Sequence, residues 1–544
     1  KIVNLWENNN PPGINTVFEW NQLRSGGIAN PSAVGLLSLD ASAFTGDMEI
    51  DISSALGGHP DPSNSGAMVH TNIQGGAGND VFWTSETVTD TSPTNRDVLD
   101  GGAGANSLVT TAGVENDAAI SNIQSLELRQ QNGAQTVDFD AFDSSLTSVL
   151  MRGEQGGSAM FNLRDLGSTL AQNGVQLNHG ITGASNPLVD VQLKDASTGS
   201  DTFAITIEDD RNNPNPDARG NNFFNFRLDV DGDNGDGNTI KDDGRVENIT
   251  IIDNDIESNT VDLINSAEHT GTLTLSGGEA GDEFTVSQTL ISKVVDGSAQ
   301  ASDLRLTVGN ANQDIRLGSG DDILTFATVD GFNSADKISD QGGVDTVRAA
   351  FSKDANLDLV DIENLHIVAS EKISLGMANA DVDNLVIMGS NATDRTGNNN
   401  ITAQKADNAA EPFVVTPETK DVITLTDTTL SELNFSADLD VDNDNTAANR
   451  SQAEAAARLA SPTWTGIGST VAGDAAYKAC INDESTQAVF NGVTLANNTG
   501  DTLAVNINSQ LDDVIFGATM YELGQLTAHG VKTMNVTVAD EDRT

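Results

Sequence analysis

The stretch Gly75-Gly76-Ala77-Gly78-Asn79-Asp80-Val81-Phe82 constrains this chain more than any other. Its glycines permit a turn that side chains would block and leave backbone carbonyls facing inward. Asp80 adds a carboxylate, which completes the all-oxygen donor set that a hard cation such as calcium takes. Val81 and Phe82 then open a strand, so the residues fit the calcium-binding repeat G-G-x-G-x-D-x-U. A plain glycine turn is the competing reading, but abundant glycine does not also place an aspartate and two apolar residues.

A second turn, Asp97-Val98-Leu99-Asp100-Gly101-Gly102-Ala103-Gly104-Ala105-Asn106-Ser107-Leu108, has the same frame with Asn106 in the aspartate place. Gly75 and Gly101 lie 26 residues apart. That is about one rung of a parallel β-solenoid, so the turns are expected to stack and share an ion. The pair recurs as Leu317-Gly318-Ser319-Gly320-Asp321-Asp322-Ile323-Leu324 and Asp340-Gln341-Gly342-Gly343-Val344-Asp345-Thr346-Val347. Each pair is followed by an apolar strand, around Ile123-Gln124-Ser125-Leu126 and around Ile362-Glu363-Asn364-Leu365. The form apolar-[EQK]-x-apolar appears again at Val246 and Val531, which argues for a duplicated chain.

Alternation of apolar and polar residues outweighs helical spacing. The expected fold is all-β, with tandem β-solenoid or β-roll-like and β-sandwich-like units in two related halves. An N-terminal β arm is expected over 1–60, carrying Trp6 and Trp20, then calcium-binding halves over 61–300 and 301–544. A short inserted helix is expected near 449–460, where Gln452 to Leu459 has strong helix propensity behind Asn449 as cap.

Charge narrows the partners. With 80 acidic against 27 basic side chains and a net charge of −53, the chain repels phosphates, which rules against nucleic acid or an anionic membrane. Multivalent cations are the natural counterpart. Regular apolar runs argue against disorder, and the lone Cys480 excludes an internal disulfide. No apolar run approaches the ~20 residues that span a bilayer, and the start at Lys1 shows no signal-peptide pattern, so a soluble, processed chain is expected. Two acid loops, with Asp229, Asp231, Asp233 and Asp236 in one and Asp440, Asp442 and Asp444 in the other, suggest a second class of calcium site, against the alternative of solvated turns. The first resembles half an EF-hand, but its glycine and twelfth-position acid fall wrongly for that motif. Asn-x-Ser/Thr triplets arise easily in an Asn- and Thr-rich chain and receive no function.

No nucleophile elbow, zinc-protease motif or phosphate loop is present, and acid pairs are too common to mark a glycosidase. An enzyme is not expected. The glycine-aspartate pairs and the strands after them, in an acidic chain of tandem β units, resemble the RTX-type surface-layer (S-layer) proteins of Gram-negative bacteria. By size, acidity and lack of a long repeat array the chain is most similar to those of marine gammaproteobacteria. The resemblance implies a calcium-dependent structural protein, extracellular on the cell surface, that self-assembles into a two-dimensional lattice over the outer membrane. Its implied partners are copies of itself and a surface glycan or lipopolysaccharide. A secreted calcium-dependent adhesin or biofilm matrix protein is the alternative, and a polysaccharide-active β-solenoid enzyme stands third. Ligand roles carried over fall on Gly76, Gly78 and Asp80; on Gly102, Gly104 and Asn106; on Gly318, Gly320 and Asp322; and on Gly343 and Asp345. The flanking Asp97, Asp100 and Asp340 join them as candidate calcium ligands.

Overall fold

Parallel pairing between strands distant in sequence organises the molecule, as expected of an all-β solenoid. The computed structural model describes residues 38–52, most of 71–209 and most of 246–369, together with strands at 2–4, 18–20, 59–60, 68–69, 224–229, 373–388, 422–426, 432–438, 492–496 and 502–510 and the segment 525–540. The chain divides into two compact units, Lys1–Arg305 and Leu306–Thr544.

In the first unit, one column of strands runs Ile2–Asn4, Ser38–Asp40, Asn72–Gln74, Val98–Asp100 and Ala119–Ser121, a five-stranded parallel sheet. A second column runs Phe18–Trp20, Met48–Asp51, Val81–Thr84, Ser107–Thr110, Ser125–Gln130 and Ser148–Gly153, then onward through Val175–His179 and Thr202–Asp209. A third begins at Gly133–Asp138 and continues through Ser158–Leu166, Ser185–Leu193 and Phe224–Asp229. Residues 38–52, expected within an N-terminal arm, are instead a full tier of this stack. Ser38–Asp40 pairs with Asn72–Gln74, and Glu49 to Asp51 pair with Val81 to Trp83.

Alternation decides which side chains face inward, and register then stacks them. Ile50, Phe82, Leu108, Leu126 and Val149 occupy matching positions in successive tiers, and all are buried. Leu39, Ile73, Leu99 and Ile120 form a second buried row. A helix of six residues, Ser168–Asn173, interrupts the strands. It buries Leu170 and Ala171, and it stops at Gly174, whose φ of +93° a side chain would resist. The helix expected at 449–460 and Cys480 lie outside the described residues.

The second unit repeats the plan. Asp314–Arg316 pairs with Lys337–Ser339, and Ile323 to Thr325 pair with Thr346 to Arg348. The long strands Ala355–Ala369 and Ile373–Met388 carry both columns onward. Opposite Arg348 stands His366, whose ring burial and the nearby guanidinium push down to a pKa of about 4. The unfolded imidazole titrates near 6.5, so the neutral ring contributes stability that is full above that pH and is lost as the pH falls toward 4. Replacing His366 by leucine should flatten the fall in the unit's urea midpoint between pH 6.5 and 4, and an unchanged slope would refute this.

Candidate metal centre

Both pairs of glycine turns are built on one hydrogen-bond frame. In the first, the Gly76 N–H donates to Asp80 Oδ2 (2.8 Å) and the Asp80 N–H to Asn106 Oδ1 (2.9 Å). In the second, the Gly318 N–H donates to Asp322 Oδ2 (2.8 Å) and the Asp322 N–H to Asp345 Oδ1 (2.8 Å). Ala105 N–H reaches Asn79 Oδ1 (2.8 Å) in one, and Val344 N–H reaches Asp321 Oδ1 (2.9 Å) in the other. The following strand closes each frame: Gln124 Oε1 accepts from the Asn106 N–H (2.7 Å), and Glu363 Oε2 from the Asp345 N–H (2.8 Å). The same bond recurs where Glu247 Oε2 accepts from the Asp201 N–H (2.9 Å). At Gln124, Glu247 and Glu363 this gives the repeated form a physical role: the polar residue caps a backbone N–H that the strand ladder leaves open, a role that Lys532 in the copy at Val531, having no acceptor, does not share.

Glycine serves close stacking here. The carbonyls of Gly76 and Gly318, expected to face an ion, accept from the N–H groups of Ala103 (2.9 Å) and Gln341 (3.1 Å) in the next tier. A Cβ on Gly104 would lie 2.1 Å from the Gly78 carbonyl oxygen, and one on Gly102 would lie 2.1 Å from that of Gly76.

Charge separates the two frames. Gly101, Asn106 and Gln124 of the first stand where the second has Asp340, Asp345 and Glu363. In the first frame every acid has donors. Asp80 is fully buried, and its Oδ1 accepts from the Met48 N–H (3.0 Å), so both oxygens hold backbone donors. Burial pushes its carboxyl up to about 6, and the two N–H groups offset part of that cost. Asp97 Oδ1 accepts from the Thr71 N–H (3.0 Å). Asp100 accepts from the Gly102 N–H (2.9 Å), Asn122 Nδ2 (2.8 Å) and Gln74 Nε2 (3.0 Å). These side chains staple turns. The ligand role expected of Asn106 does not fit: its oxygen is committed to the Asp80 N–H, which turns its amide nitrogen, a donor, toward the carbonyls of Asn122 (2.9 Å) and Ala103 (3.3 Å).

In the second frame the side-chain oxygens of Asp322, Asp340 and Asp345 lie within 4.8 Å of one another, and all three residues are buried. The Gly342 N–H donates to Asp340 Oδ2. Asp340 Oδ1 and Asp345 Oδ2 are buried with no donor from any other residue, so the two carboxyls can bond only to each other, by sharing a proton. Burial holds the Asp345 carboxyl well above the usual range, and the negative charges of Asp340 and Asp322 raise it further. Asp340 is raised too, again chiefly by burial. Two buried acceptors with no donor between them call for a shared proton or a cation. The set fits a hard divalent ion, because it offers three carboxyls, is oxygen-only and holds neither thiolate nor imidazole. Calcium would be held by Asp322, Asp340 and Asp345 and would supply the charge that lets all three ionise together.

A further acid group was not foreseen in the sequence. Asp138, Asp140 and Asp165 bring side-chain oxygens within 4.8 Å of one another, but none is buried, and Asp140 pairs with Lys194 (2.5 Å). Asp138 ends the strand Gly133–Asp138, Asp140 lies in the 3-10 turn Phe139–Ala141 that follows it, and Asp165 lies in Ser158–Leu166, with no common motif. Asp47, also unforeseen, extends the first frame by one tier, its Oδ1 accepting from the Asn79 N–H (2.8 Å). Of the acid loops, Asp229 ends the strand Phe224–Asp229, and its side chain lies outside the described residues along with Asp231, Asp233, Asp236, Asp440, Asp442 and Asp444. Comparison with family models, with curated proteins and with solved structures finds no match.

Proposed function

We propose that this chain is a structural surface-layer protein that assembles with copies of itself into a calcium-stabilised sheet on a bacterial cell surface. The observation that carries the reading is the buried cluster of Asp322, Asp340 and Asp345, in which Asp340 and Asp345 each keep a buried oxygen that no other residue's donor reaches. A protein held by such a site needs a medium rich in divalent ions, which is an extracellular condition. Self-association then has to overcome the repulsion of identical subunits at net charge −53. Salt at ~0.15 M screens beyond only ~8 Å, so surfaces in contact still need neutralisation, and divalent ions provide it. A long parallel stack offers broad, repetitive faces for lateral contact, as a sheet requires.

Electron microscopy and light scattering on the purified chain test this reading. Periodic sheets should form in millimolar calcium, disperse in EDTA, and require more calcium when Asp345 is replaced by alanine. Ordered sheets in EDTA would overturn the reading, as would single particles at every calcium concentration, the outcome an adhesin would give.

A further inference from the structure

We propose that the side-chain amide of Asn106 takes the place of the cation in the first unit, so that cation control is confined to the second. This rests on the cation reading of Asp322, Asp340 and Asp345. The two frames match in the bonds made by Gly76 and Gly318, by Asp80 and Asp322, and by Gln124 and Glu363. Within that shared scaffold, Asn106 Nδ2 lies 2.9 Å from the Asn122 carbonyl oxygen, 3.3 Å from that of Ala103 and 3.5 Å from that of Gly102. A group with positive hydrogens inside a ring of carbonyl oxygens does for those oxygens what a bound ion would do, without an ion.

The neighbouring substitution follows from the same geometry. A Cβ on Gly101 would lie 2.2 Å from the Asn122 carbonyl oxygen and 2.8 Å from Asn106 Nδ2, so that carbonyl and the amide bonded to it together leave no room for the carboxylate that the second frame has in Asp340. With Gln124 in place of Glu363, Asp80 is the one acid among the first frame's counterparts of Asp322, Asp340, Asp345 and Glu363, and it has a donor on each oxygen. Asparagine, glycine and glutamine therefore form one coupled neutral set, and the aspartates and glutamate of the second frame form its charged counterpart. The first unit is built to hold its tiers when divalent ions are withdrawn.

Hydrogen exchange on the full chain, read by mass spectrometry over residues 75–110 and 317–351 in EDTA and in millimolar calcium, tests the assignment. Chelation should leave the first stretch protected and speed exchange in the second by about tenfold or more. Exchanging the coupled residues should exchange the behaviour: N106D makes the first stretch calcium-dependent, because it sets a carboxylate oxygen against three carbonyls, and D345N made together with D340G keeps the second protected in EDTA. If chelation exposes both stretches of the unaltered chain equally, the proposal fails while the cation reading stands. If it exposes neither, the cation reading fails and takes the proposal with it. A D340G/D345N chain whose second stretch still needs calcium would likewise overturn the proposal, and that readout does not depend on whether N106D folds.

Discussion

Alanine at Gly343 should destabilise the second unit by ~3 kcal/mol or more, while alanine at the adjacent Gly342 should cost only about 1–2 kcal/mol. The two glycines have nearly the same φ, +136° and +133°, so both substitutions carry the strain of a side chain at positive φ. They differ in what surrounds them. A Cβ on Gly343 would stand 2.0 Å from the Gly320 carbonyl oxygen, whereas one on Gly342 would meet nothing within 4 Å. The Gly343 variant must therefore push two stacked turns apart, and with them Asp322 and Asp345, which belong to those turns. Urea midpoints of the two variants, each with and without calcium, measure the difference. Equal losses would show that the close approach of the turns contributes nothing.

Phe82→Ala is expected to cost about 3–5 kcal/mol, because a fully buried ring is removed from the middle of a column in which Ile50 and Leu108 hold the matching positions above and below it in register. The neighbouring Trp83 points the other way along the alternation, and it packs under the guanidinium of Arg129 at 4.7 Å. Trp83→Ala should cost far less, despite the larger side chain lost. Chemical unfolding followed by hydrogen exchange separates the two, with loss of protection for Phe82→Ala concentrated in the flanking tiers. A larger penalty at Trp83 would mean that the assigned inward face is wrong.

Much of this was legible in the sequence, for reasons that can be stated. The glycine turn at Gly75 is visible because close stacking tolerates no side chain there, and the second pair, with its aspartates, follows from the same spacing. Parallel stacking was legible from the separation of Gly75 and Gly101. The tier at 38–52 was not, because its turn, Ala41 to Asp47, has Gly46 as its one glycine and matches no repeat. The helix Ser168–Asn173 is too short to display a helical period. Asn106 was misread because asparagine and aspartate are interchangeable in outline, and only the bond from the Asp80 N–H fixes which end of the amide faces the carbonyls.

Stacking by register also has a consequence for how such a chain can change over time. Asn72 and Val98 pair across 26 residues, Thr202 and Asn248 across 46, and Glu432 and Ala504 across 72. The spacing nearly triples, yet each strand lands in register on its predecessor. The architecture counts tiers and is indifferent to how much chain is spliced between them. Length variation among descendants of such a gene should therefore fall between strands, where whole surface features can be gained or discarded in one event. The strands themselves should change by substitution only, since losing one residue there would turn every inward side chain outward.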